Sequence, residues 1–167
     1  MNSEEVEQMK HPQKKPVPKS LAKGLLAGLI GGLVATAAKS FAEKIYPPRT
    51  HGEPEPFALL AEKLAGHELA AAQKEIAAER LHWGFGAMTG AAYGALAEYY
   101  PQATAKDGAG FGMALTSLTH GTALPALGLS AAPEDQTTRE RTSEMATFVV
   151  YGMVTETVRR VVRKMLG

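Results

Sequence analysis

The sequence predicts an all-α protein, a four-helix transmembrane bundle with glycine-zipper packing and a helical, amphipathic first external loop. Two observations carry this. Glycines recur at four-residue spacing in three apolar stretches, and charged residues gather in the segments between those stretches. Residues four apart lie nearly above one another on a helix, so each glycine row makes a flat groove. In water an interior glycine costs about 1 kcal/mol relative to alanine. In a bilayer the same groove lets two helices come close enough for van der Waals packing to hold them.

Residues 1–20 hold Lys10, Lys14, Lys15 and Lys19 with three prolines and no apolar period, which reads as a disordered basic cytoplasmic tail. The first span, about 21–44, carries the row Gly24, Gly28, Gly32, Thr36. Fifteen uncharged residues separate Lys23 from Lys39. That is about 24 Å of helix, and snorkelling lysines extend its reach towards a hydrocarbon core of about 30 Å. The basic region, apolar core and Ala35-Thr36-Ala37 also make a passable signal-peptide pattern, but the basic region is long for one, and an uncleaved anchor is expected.

Pro47-Pro48-Arg49 ends this helix. An amphipathic loop helix is expected over about 55–80, where Phe57, Leu60 and Leu64 share a face among glutamates and lysines. The second span, about 81–100, carries the row His82, Gly86, Gly90, Gly94, Glu98. The third, about 108–128, lies in a charge-free run from Gly108 to Pro133, with Gly108, Gly112, Thr116 and His120 on one face and Pro125 bending or ending the helix. The fourth, about 144–165, ends in Arg159, Arg160, Arg163 and Lys164. Basic clusters at both termini place both in the cytoplasm, and an even number of spans agrees.

Glu144 and Glu156 are about 18 Å apart along the fourth helix, less than the hydrocarbon thickness, so these carboxylates should face the bundle and have partners. Glu156 has Arg160 one turn on. Glu144, His82 and His120 fall towards the outer half, where they would serve as hydrogen-bonded links between helices or as a cluster that senses or relays protons. Glu98 and Glu156 belong to the cytoplasmic half. Lys39, Glu43, Arg49, Arg159 and Arg160 are the candidate ion-pairing groups.

There are no cysteines, which excludes disulfides and thiolate metal sites, and 18 Lys and Arg against 17 Asp and Glu give no general argument for nucleic acid. No nucleotide loop, zinc signature or nucleophile elbow is present, so neither enzyme, cofactor nor metal is expected. The expected partners are the lipid bilayer and other membrane subunits or a second copy. Mean hydropathy is −0.13, low for a polytopic protein, and keeps a soluble helical interaction protein as a further alternative.

Lys39, Glu43 and Pro47-Pro48-Arg49, then His82 with Ala97-Glu98 and Pro101, then His120, Pro125 and Gly128-Leu129-Ser130, and finally Ser143-Glu144 through Glu156, Arg159, Arg160 and Arg163, resemble the YagU-like bacterial inner-membrane proteins, which carry a domain of unknown function. The region between the first two helices is shorter here, and Phe148 stands where a member of that family has histidine. The resemblance implies an inner-membrane location and a loose association with tolerance of acid, and it supplies no reaction. Two functions are therefore expected: a structural or accessory membrane protein acting through small-residue packing, or a proton-linked sensor or transporter using His82, His120 and Glu144.

Overall fold

The structure, a computed structural model, describes residues 18–50 and 52–167. Most of the basic tail expected over 1–20 lies outside the described residues. The described residues form five helices, and there is no strand among them. They are α1 (Leu21–Ile45), α2 (Pro56–Ala65), α3 (Ala71–Tyr99), α4 (Ala109–Leu118) and α5 (Thr138–Met165). A 3-10 segment, Pro101–Gly108, joins α3 to α4, and a π-helical turn, Thr119–Ala123, continues α4 into the short turn Leu124–Ala126.

Helix α1 lies between α3 and α5 and runs antiparallel to both, because it carries small residues on two faces. Towards α3, Gly28 lies against Gly90 and Gly94, and Gly32 lies against Gly86 and Gly90. A Cβ on Gly24 would stand 2.8 Å from the carbonyl oxygen of Gly94. Towards α5, a Cβ on Gly31 would stand 2.7 Å from the carbonyl oxygen of Thr155. Ala27 and Ala35 are fully buried. Backbone meets backbone along both seams, an approach that any larger side chain would prevent. Helix α4 docks on α5 in the same way, with Gly108 against Gly152 and Gly112 against Phe148. At the α3–α4 reversal, Lys106, Asp107 and Gly108 all have positive φ. A side chain at Gly108 would be strained by this and would meet α5 as well.

The amphipathic loop helix expected over about 55–80 is two pieces. Gly66 takes a left-handed conformation with φ of 73° and caps α2, and the second piece runs without a break into the second predicted span. The third predicted span, about 108–128, is regular only to Leu118. Pro125 lacks an N–H and its ring crowds the carbonyl one turn back, and the turn just before it is widened into π form. The fourth helix begins at Thr138 rather than near 144, since the Thr137 side chain accepts a hydrogen bond from the backbone N–H of Glu140 and caps it.

The distribution of polarity is inverted. Lys39, His120, Glu140, Glu144, Glu156, Arg159 and Arg163 are all buried, and the apolar cluster of Ala35, Leu115, Phe148 and Tyr151 is small. Large apolar side chains are exposed instead: Leu25, Leu26, Leu29 and Val34 on α1, Met88 and Leu96 on α3, Met113 and Leu118 on α4, Met145, Val150, Met153 and Val161 on α5. Helix α1 is the one helix among the described residues that is long and apolar enough to cross a membrane.

Candidate functional site

Where α1 ends and α5 begins, the bundle opens into a cavity of about 250 Å³. Phe57 and Leu60 of α2 cover it, Phe85 of α3 and Phe148 of α5 form apolar walls, and Thr119 to Leu127 of the π-helical region close the far side. The widened π turn swings His120 inward, where its ring meets the edge of Phe148 at 5.4 Å.

Glu144 forms the polar floor and is 2% exposed. Its Oε1 accepts from Arg49 Nη2 at 2.8 Å. Its Oε2 lies 3.3 Å from His120 Nε2 and 3.6 Å from Lys39 Nζ, neither in hydrogen-bonding geometry. Lys39 donates to Glu43 one turn on and sits 4.5 Å above the Phe148 ring. Glu144 Oε2 and His120 Nδ1 are buried without a hydrogen-bond partner among the described residues. Arg163 Nη1, at the other end of the bundle, is likewise buried without one, and such groups are costly inside a protein.

Two further carboxylates belong to this end. Glu55 is on the cavity lining, and although much of its surface stays exposed, desolvation pushes its carboxyl above the usual carboxylate range, with Arg49 acting in the opposite direction. Glu140, in the first turn of α5, is pushed up by burial as well, against the same arginine.

The opposite end is closed. Glu156 is fully buried and accepts two hydrogen bonds from Arg159, at 2.7 and 2.9 Å, one from Tyr93 at 2.9 Å and one from Arg160 at 2.5 Å. Arg160 reaches on to Asp107 at 2.7 Å. Glu98 accepts from Arg163 through both oxygens and from the backbone N–H of Ser20 at 2.9 Å, which ties α3, α5 and the start of α1 together. Both carboxylates have their oxygens occupied by arginines together with a neutral donor, Tyr93 for Glu156 and the Ser20 N–H for Glu98, an arrangement suited to holding helices in register.

The structure thus brings His82, His120, Glu144, Lys39, Glu43 and Arg49 to one cavity, although His82 stacks on Phe57 at 5.4 Å and is not in the ion cluster. Glu98 and Glu156 stand at the far end, clamped. Sequence reasoning pairs Glu156 with Arg160 and names Arg159 as an ion-pairing candidate without its bidentate hold on Glu156. It also passed over Tyr151, whose hydroxyl donates to the Gly86 carbonyl at 2.7 Å behind the cavity, and Tyr93 and Arg163. Their signal was present for Tyr151, four residues short of Thr155 on the buried face of α5, but tyrosine is as common on a lipid-facing edge. Among the described residues no group of three or more metal-ligating side chains stands together.

No curated protein matches the chain, and no solved structure does. A family profile does, over residues 33–157, a stretch that takes in the residues lining the cavity and Glu156 but stops short of Arg159 and Arg160. The chain therefore belongs to the family described as Protein of unknown function (DUF1440), in keeping with its resemblance to proteins that carry a domain of unknown function.

Proposed function

We propose that this is a four-span protein of the bacterial inner membrane, without catalytic activity, whose working part is a proton-linked binding cavity at the outer end of the bundle. The reading of four spans is supported by what each helix shows to its surroundings rather than by its mean hydropathy. On α5 no charged side chain is exposed between Arg141 and Arg160, about 28 Å of helix. On α3 none is exposed beyond Arg80 to the end of the helix, a similar length. Trp83 and Tyr46 at one edge of this belt, and Tyr99 and Tyr100 at the other, are exposed where interfacial aromatics belong. Buried charge lowers the hydropathy of α5 without reaching lipid.

The observation that carries the function is the cavity floor, where Glu144 and His120 keep unpartnered atoms in a space large enough for a small molecule. A carboxylate and an imidazole in contact can exchange or share a proton in the physiological range. This favours the sensor or transporter over an accessory protein acting through its glycine faces, because the chain's own helices fill the glycine grooves and leave none to a partner. The basic tail and the Arg159–Lys164 cluster assign the closed end to the cytoplasm and the cavity to the outside. A link with acid tolerance rests on the resemblance alone.

Two measurements test this. Carbonate washing of membranes with tags at Gly66 and Gly167 should leave the protein in the membrane, with the Gly66 tag outside. In nanodiscs containing ring-labelled histidine, a resonance absent from His120→Leu should titrate in the physiological range and change its titration in Glu144→Gln. A protein that washes off removes the membrane reading, and a His120 resonance indifferent to Glu144 removes the proton-linked one.

A further inference from the structure

Resting on the cavity reading above, we infer that the ligand is a small lipophilic amine, bound as its ammonium ion with the charged head on Glu144 and His120 and an apolar, preferably aromatic, body between Phe57, Phe85 and Phe148. Three observations converge on this class. The first is the chemistry of the unpartnered atoms. His120 Nε2 lies 3.3 Å from Glu144 Oε2, outside hydrogen-bond geometry, and the carboxylate's charge favours the tautomer of a neutral His120 with its proton on Nε2, which leaves Nδ1 as an acceptor. Glu144 Oε2 is an acceptor in any ionised form. Both buried orphans therefore call for a donor, and an ammonium offers three.

The second is charge. The lining holds Lys39 and Arg49 against Glu43, Glu55 and Glu144, so formal negative charge is in excess while the histidines are neutral. Both cations are already committed, Arg49 to Glu144 and Lys39 to Glu43, and an anionic head would lie against carboxylates with no free cation to meet it. The third is the wall. Aromatic faces attract a cation while excluding water, and Lys39 already sits over Phe148 in this way. A neutral alcohol would satisfy one orphan atom at most through its single donor and would gain nothing from the charge.

The test is a ligand series of one shape on the intact protein in nanodiscs, with empty nanodiscs as the partition control. The probes are 2-phenylethylammonium, 2-phenylethanol and phenylacetate, titrated calorimetrically near neutral pH and followed by the His120 resonance. The amine is expected to bind at least tenfold more tightly than the alcohol, with phenylacetate weakest, and to move the His120 signal. Glu144→Gln should abolish the preference for the amine while keeping the alcohol's affinity, which also reports that the variant is folded. Should that variant not fold, the three probes on the unaltered protein still decide. Equal affinity for amine and alcohol, or tighter binding of phenylacetate, overturns the assignment of an amine and leaves a binding cavity of another class. Failure of all three to bind, with the His120 titration still coupled to Glu144, overturns the amine while the proton-linked reading stands.

Discussion

Replacing Gly28 by alanine tests the seam on which α1 is mounted. The added Cβ would stand 2.7 Å from Gly94 Cα and 2.8 Å from Gly94 N, with the Gly90 carbonyl oxygen closer still. All three atoms are backbone, so no rotamer change relieves them, and α1 and α3 must part by about 1 Å to bring the nearest of them, the Gly90 carbonyl oxygen, out to an ordinary contact. A gap of that size forfeits a quarter to a half of the dispersion attraction along the seam, and overpacking of this kind costs about 1–3 kcal/mol. Alanine returns about 1 kcal/mol of helix propensity. Gly84→Ala is the matched control, on α3 with nothing within 4 Å of its added Cβ, so it carries the propensity gain alone. Gly28→Ala is therefore expected to be less stable than Gly84→Ala by about 1–3 kcal/mol. For a chain of this size that separates the two melting temperatures by about 2–12 °C in detergent, followed by circular dichroism. Equal melting temperatures would refute the close approach of the two helices.

Glu156→Gln should lower stability by about 3–5 kcal/mol in the same assay, because the Arg159 guanidinium then stays buried without a counter-ion. Glu156→Gln combined with Arg159→Gln should recover part of the loss, and strictly additive effects would show that the pair does not interact. Glu140, whose carboxyl is pushed up by burial, gives a pH signature. A raised folded-state pKa means stability present below the unfolded value and lost as pH rises through the folded one, so Glu140→Gln should be more stable than the parent at neutral pH and lose that advantage in acid. An advantage that stays constant with pH would be inconsistent with the buried carboxylate.

The glycine rows were legible because a four-residue period is a property of one helix, and Gly24, Gly28, Gly32, Gly86, Gly90 and Gly94 do lie on packed faces. What they face was not legible, because pairing depends on the antiparallel register of two helices separated by the whole of α2. Gly31 and Gly152, which make seams of their own, stand outside any row and carry no periodic signal. The meeting of His120 with Glu144 hangs on the π-helical turn that rotates His120 inward, a local rearrangement that Pro125 announces without fixing its position. Arg49 reaches Glu144 from a loop, and Glu98 meets Arg163 across 65 residues of sequence, pairings set by tertiary structure alone. Helix α5 has low mean hydropathy for a related reason: one number averages a charged buried face with an apolar exposed one.

The two ends of the bundle then differ in a way that packing does not require. Both bury carboxylates on α5 beneath small-residue seams, and a fold asking only for stability could have satisfied both alike. At the cytoplasmic end of our reading Glu156 and Glu98 are saturated by arginines, so their protons and partners are fixed. At the outer end Glu144 has one oxygen held by Arg49 and the other facing an imidazole and Lys39, on the lining of the cavity. An unsatisfied buried carboxylate costs free energy that the same chain shows it can avoid three turns away. At the clamped end the unpartnered atom is a donor, Arg163 Nη1, whereas beside the aromatic-walled cavity the unpartnered atoms are Glu144 Oε2 and His120 Nδ1, and an occupant able to donate hydrogen bonds to them would remove that cost.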